Sequence, residues 1–200
     1  MMITADLIDA YLKCPTKCFL LSRDEVETGN AYAEWARVKS ASFCREGIGH
    51  LVAGVAPNKC VVSTSAAEKR QWLLAIDFKA RSQNLQCSCQ AVERLPSLGR
   101  DRAAQLIPIR FVFRNKAARD DKLLVTFNAL VLSESLGRTI EYGKVLYGDN
   151  YASLRVKTSA FADEVRRLIE KVDGLLASPT PPDLVLNRHC TECQFQTRCR

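Results

Sequence analysis

The chain has 200 residues, which suits one domain with a small appendage, and its 47% apolar composition supports a real core. No apolar run approaches a membrane span, and the start Met1-Met2-Ile3-Thr4-Ala5-Asp6 lacks the basic-then-apolar layout of a signal peptide, so the expected compartment is the cytoplasm. Nine cysteines there should be thiols or metal ligands and not a disulfide framework, and the net charge of +7 favours an anionic partner.

Thr4 is placed to cap a first helix whose Leu7, Ile8, Tyr11 and Leu12 recur at helical spacing, with Pro15 near its end. Cys14 falls at the helix exit, where a ligand can point away from the core. Cys18 precedes Phe19, Leu20 and Leu21 and reads as a small buried hydrophobe. A second helix covers roughly 31–52 and passes Trp35, Val38 and Phe43 to reach His50. Taken alone, His50 needs nothing more than a hydrogen bond near a helix end. Ser65-Ala66-Ala67-Glu68 forms a capping box and predicts a third helix through Trp72, Leu73 and Ile76. Asp77 and Lys79 within it are then surface charge.

From Leu85 the period becomes two, which predicts a strand with Leu85, Cys87, Cys89 and Ala91 on one face. A charged loop over 96–102 leads to a second strand, Leu106 to Phe113, and Pro108 suggests that it starts near an edge. Leu123, Leu124, Phe127, Leu130, Val131 and Leu136 define a helix over 121–137, ended by Gly137. Segments near 143–147 and 153–156, joined by Gly148-Asp149-Asn150, predict a hairpin. A last amphipathic helix covers about 161–176, followed by the stiff Ser178-Pro179-Thr180-Pro181-Pro182. This order belongs to an α/β or α+β domain with a mixed central sheet. Residues 1–177 make the domain, and 178–200 are a Pro-rich linker and a Cys-rich tail expected to pack back on the first helix.

Basic charge concentrates between Arg94 and Lys122, where Arg94, Arg100, Arg102, Arg110, Arg114, Lys116, Arg119 and Lys122 outnumber Asp101, Asp120 and Asp121. Such a surplus suits a polyphosphate backbone, or else a solvated basic face with no partner. In the tail, Cys190, Cys193 and Cys199 stand in a C-x₂-C-x₅-C pattern behind His189. C-x₂-C puts two sulfurs on one tight turn, the usual grip on a metal. Tetrahedral zinc and iron–sulfur clusters both take four protein ligands. The fourth is His189 or a distant residue, of which Cys14 is the best placed.

Together these elements resemble the RecB-like branch of the PD-(D/E)XK nuclease superfamily, most closely the CRISPR-associated exonucleases with a four-cysteine iron–sulfur cluster. The layout is also similar to the N-terminal part of longer RecB-like proteins. The resemblance rests on a Cys-Pro at the end of the first helix, the Pro-rich linker and the C-x₂-C-x₅-C tail. It implies a central mixed sheet flanked by helices and a 4Fe–4S cluster on Cys14, Cys190, Cys193 and Cys199, with zinc as the alternative. It also implies nucleic acid, DNA first, as partner, no membrane, and a further C-terminal domain or a partner nuclease or helicase.

The family's nuclease centre holds Mg²⁺ or Mn²⁺ on an aspartate and the glutamate of a Glu-x-Lys, beside an upstream histidine and a glutamine on the following helix. His50 matches the histidine, but Gln90 stands for the aspartate, Arg110 for the glutamate and Val112 for the lysine. Leu123 or Leu124 takes the glutamine's place. A neutral amide is a poor ligand for a hard cation, and Arg110 repels one. The expectation is a nucleic-acid-binding domain with a degenerate centre, contacting phosphates through Arg100, Arg102, Arg110, Arg114, Lys116 and Arg119. An active metal-dependent nuclease and a zinc-stapled interaction module are the alternatives.

Overall fold

The computed structural model describes residues 1–25, 29–62, 72–96 and 104–199. Among them are β1 (Ile3–Thr4), α1 (Ala5–Lys13), α2 (Pro15–Ser22), α3 (Ala31–Ala53), β2 (Cys60–Val62), β3 (Leu74–Ser82) and β4 (Leu85–Leu95). β5 (Gln105–Val112), α4 (Arg119–Leu136), β6 (Tyr142–Tyr147), β7 (Ala152–Lys157) and α5 (Ala162–Ala177) complete the body. The strands form one mixed sheet in the order β2-β3-β4-β5-β6-β7, with β1 also paired to β4. β3–β4, β4–β5 and β6–β7 run antiparallel, while β1–β4, β2–β3 and β5–β6 run parallel. The expected class, a mixed sheet flanked by helices, is the one found.

Local chemistry explains most of these elements. The Thr4 side chain accepts from the Leu7 amide at 3.3 Å and starts α1. Gly137, at φ 61°, ends α4 in the left-handed conformation that glycine adopts without strain. Gly148, at φ 70°, turns the β6–β7 hairpin. One face of the sheet is covered by α1, α4 and α5, where Ile8, Cys18, Cys87, Cys89, Leu124, Phe127 and Val165 share the main core. The other face carries α3, whose Phe43 packs with Ile76, Ala91, Ile109 and Phe111. Cys18, Cys87 and Cys89 are thus core residues, and burial pushes the Cys18 thiol up to about 12, with Cys14 adding to the push.

Three expectations need correction. The helix predicted through Trp72 and Ile76 gives way to β3 from Leu74 on; its proposed start, 65–71, lies outside the described residues. Leu74, Ala75 and Ile76 are buried in succession because the sheet is covered on both faces, and such a run carries no strand period. Second, Leu85, Cys87 and Cys89 do not share a face with Ala91. Cys89 packs in the main core and Ala91 against α3, just as Phe78 and Ile76 do on β3. The switch falls at Asp77, held at φ 52°, and at Gln90, the residues between these pairs. The Gln90 side-chain oxygen accepts from the Phe111 amide at 3.0 Å, beyond the last ladder pair, Ala91 with Ile109. Third, β5 is an interior strand despite Pro108. Its pairing with β6 begins only at Ile109, so the missing proline N–H falls where that neighbour has not yet joined.

Gly47 sets how closely α3 approaches the sheet. A Cβ there would lie 2.4 Å from the Phe111 ring and 2.8 Å from Tyr151. Gly47→Ala gains about 1 kcal/mol of helix propensity but overpacks a buried ring, at a cost of about 1–3 kcal/mol. The net expectation is a lower urea midpoint at unchanged m value. The control Gly49→Ala, with nothing within 4 Å of its Cβ, should raise the midpoint.

Candidate functional site

The two ends of the chain meet at one cavity of about 290 Å³, whose lining includes Cys14, Cys190, Cys193 and Cys199. Cys14 occupies the junction between α1 and α2, as C-cap of one helix and N-cap of the other. Pro15 starts α2 and fits there because its missing N–H would have no helical partner. Burial pushes the Cys199 thiol up, and Cys193, Cys14 and Cys190 add to that push as like charges. The backbone N–H of Asn187 donates to Cys190 Sγ at 3.2 Å. His189 lines the same cavity, but its Nε2 accepts from Arg188 Nε at 3.3 Å.

The tail is held by contacts that do not involve sulfur. Phe195 is 0% exposed and packs against Phe19 and Leu20 of α2. Asn187 Nδ2 donates to the Lys13 carbonyl at 3.1 Å. Asn30, the N-cap of α3, donates to the carbonyls of Thr191 and Cys193 at 3.0 and 3.2 Å. Arg198 pairs with Glu25 at 3.0 Å. The Pro-rich linker begins where Arg23 donates to the Ser178 carbonyl at 2.9 Å.

A thiolate donor set suits soft iron or zinc more than hard cations. Among the described residues, no three His, Cys, Asp or Glu side chains form a group that could hold a metal ion as they stand. A cluster asks for a different arrangement, since each thiolate binds its own iron and the sulfurs stand around a larger body. One further atom bears on the fit. Thr16, in the first turn of α2, lines the cavity, is only 4% exposed, and its Oγ1 has no hydrogen-bond partner among the described residues. A buried hydroxyl left unpaired is costly, and a sulfur-rich group in the cavity offers acceptors. In kind and number, four thiols lining one cavity are the donor set that a four-thiolate cluster takes.

The positions matched to a nuclease centre do not gather in one site. Arg110 and Val112 lie on the α4 side of β5, Val112 packing with Val125 and Val145. His50 lies on α3, with its ring 5.0 Å from that of Tyr151. Gln90 spends its oxygen on the Phe111 amide. Carboxylates do meet at Arg110. Its guanidinium lies 3.4 Å from Asp121 and 3.9 Å from Asp9. Asp121, 1% exposed, also accepts from Arg114 Nη2 at 2.7 Å and from the Ala118 amide at 2.8 Å. Asp9 pairs with Lys13 at 2.6 Å. The acids here are neutralised by arginine and lysine, and a divalent cation would have to displace a guanidinium. Glu93, the nearest acid to Gln90 along β4, is paired with Lys144.

The expected phosphate contacts are likewise partly neutralised. Arg110 and Arg114 share Asp121, and Arg119 pairs with Glu164 at 2.6 Å beside the Phe161 ring. Lys116 is exposed, and Arg100 and Arg102 lie outside the described residues. Sequence reasoning missed Asp9, Asp121 as a buried hub, Asn30, Asn187 and Thr16. Asp9 sits on the polar side of α1 with Asp6 and Lys13, and reads there as ordinary surface charge. Asp121 looked like an ordinary first-turn acid.

No described helix is long and apolar enough to cross a membrane. No known family model matches the chain, and no curated protein does either. It is similar to the solved structure of a protein named SSO0001, with 14% identity and a TM-score of 0.48, over 98% of this chain and 84% of that one. At that level the likeness identifies neither a family nor an activity.

Proposed function

We propose that this chain is a nucleic-acid-binding domain of the RecB-like nuclease type, with a degenerate catalytic centre and a 4Fe–4S cluster. The observation that most supports it is the arrival of Cys14 from the chain's start and Cys190, Cys193 and Cys199 from its last residues at one cavity. The cluster supplies a four-point cross-link between α1, α2 and the tail. The chain's own residues orient it: Asn187 and Asn30 fix the tail backbone, and Phe195 seals the tail against α2.

Degeneracy is supported at Arg110, where a fixed guanidinium takes the attraction of Asp9 and Asp121 that a Mg²⁺ ion would need. Phosphate binding then falls to cations that keep an exposed side, chiefly Lys116 and Arg119, in a chain of net charge +7. DNA is the first partner to test, and the domain would work beside a nuclease or helicase partner.

Anaerobically purified protein should be brown and contain iron and acid-labile sulfide in equal amounts. Zinc without sulfide would replace the cluster by a structural staple. The protein should bind DNA at low salt, and Lys116→Ala with Arg119→Ala should flatten the log–log salt dependence by about two units, about one per lost phosphate contact. No digestion should occur with Mg²⁺ or Mn²⁺. Metal-dependent cutting by the unmodified protein would overturn the degenerate reading.

A further inference from the structure

Thr16 serves no purpose in the cysteine site as a structural staple alone. It lies at the second position of α2, lines the cavity, and buries a hydroxyl that meets no acceptor among the described residues. Valine would fill the same shape with no polar atom to satisfy. The surroundings add a second feature of the same sign. Thr16 sits in the first turn of an eight-residue helix whose N-cap, Cys14, makes no side-chain capping bond. The dipole of the helix places partial positive charge at this N-terminus, beside the cavity.

We propose that Thr16 and the N-terminus of α2 form an electropositive cradle that raises the reduction potential of a sulfur cluster held in this cavity. The Oγ1–H donates to a sulfur of the cluster or of a cysteine thiolate. That bond strengthens when one electron from an external reductant enters the cluster and its sulfurs become more negative. Hydrogen bonds to sulfur and local charge are among the levers by which a protein sets such a potential. Thr16 acts through the cluster and is a positioning residue, not a ligand. The inference rests on the cluster reading above and assigns the site a redox setting that a staple does not need.

The test is a dithionite titration of the anaerobically purified, iron-loaded protein, followed optically and by electron paramagnetic resonance. Thr16→Val keeps the side-chain shape and removes the hydroxyl. At the wild-type midpoint its reduced-to-oxidised ratio should fall about tenfold, which is 59 mV for one electron. Thr16→Ser restores the donor and should return the midpoint to the wild-type value. If Thr16→Val assembles poorly, Thr16→Ala carries the same expectation at lower volume. The iron–sulfur stretching frequencies should shift in the valine and alanine variants and return with serine. An intact cluster whose midpoint and vibrational bands ignore all three substitutions overturns the cradle and leaves the cluster reading standing. Protein that carries no iron and sulfide overturns the cluster reading itself, and the cradle with it.

Discussion

Asp121→Ala should lower the free energy of unfolding by about 3–5 kcal/mol, the range for breaking one partner out of a buried ion pair. Asp121 is 1% exposed and accepts from Arg110, Arg114 and the Ala118 amide. Its removal leaves Arg110 half-buried with only Asp9, 3.9 Å away, and takes the capping acceptor from the start of α4. The comparison that isolates burial is Arg114→Ala. Arg114 is 55% exposed, so solvent screens its share, and the expected loss is about 1 kcal/mol or less. Urea unfolding at unchanged m value measures both. An Asp121→Ala midpoint no lower than that of the unmodified protein would show that the cluster of charges around Arg110 does not support the fold.

Phe195→Ala should act differently, by detaching the tail while leaving the sheet folded. Removing a fully buried phenylalanine costs about 3–5 kcal/mol in a core. Here the ring seals only the tail, against Phe19 and Leu20, so the loss should appear as local opening. About 3 kcal/mol corresponds to on the order of a hundredfold more of the open form. Trypsin cleavage after Arg188 should accelerate by a similar factor, while the unfolding midpoint of the body moves little. Cleavage at the wild-type rate would mean that the hydrogen bonds of Asn30 and Asn187 hold the tail without the ring.

Much of the frame is legible in the residues, and the failures have definite causes. α1, α3, α4, the hairpin and α5 all carry period or punctuation: Thr4 as cap, Gly137 as stop, Gly148 in the turn. β1 and β2 have two and three residues, too few for any period to register. β3 is hidden by burial on both faces, and Trp72, Leu73 and Ile76 happen to fall at helical spacing. For the cysteines, spacing within the tail spoke for a metal, and Cys14 stood out because it ends a helix. The carboxylates at Arg110 were not legible, because they come from two helices far apart in sequence and meet only across the folded core. Nor was Thr16, since an unpaired hydroxyl is a property of packing alone.

The joining of the chain's start to its last residues also fixes an order of events. On a ribosome, Cys14 emerges early and Cys199 at the very end of this stretch, an interval on the order of tens of seconds at usual elongation rates. Through that interval the sheet and α4 can form, but the pocket around Cys14 has only one of its sulfurs and lacks the Phe195 seal. Any group that needs all four thiolates can be inserted only after synthesis has passed Cys199. A chain that stalls or is clipped before that point keeps its sheet and never acquires the group. Occupancy of the cavity would therefore mark a chain extended past Cys199, which a colour or an iron assay reads directly.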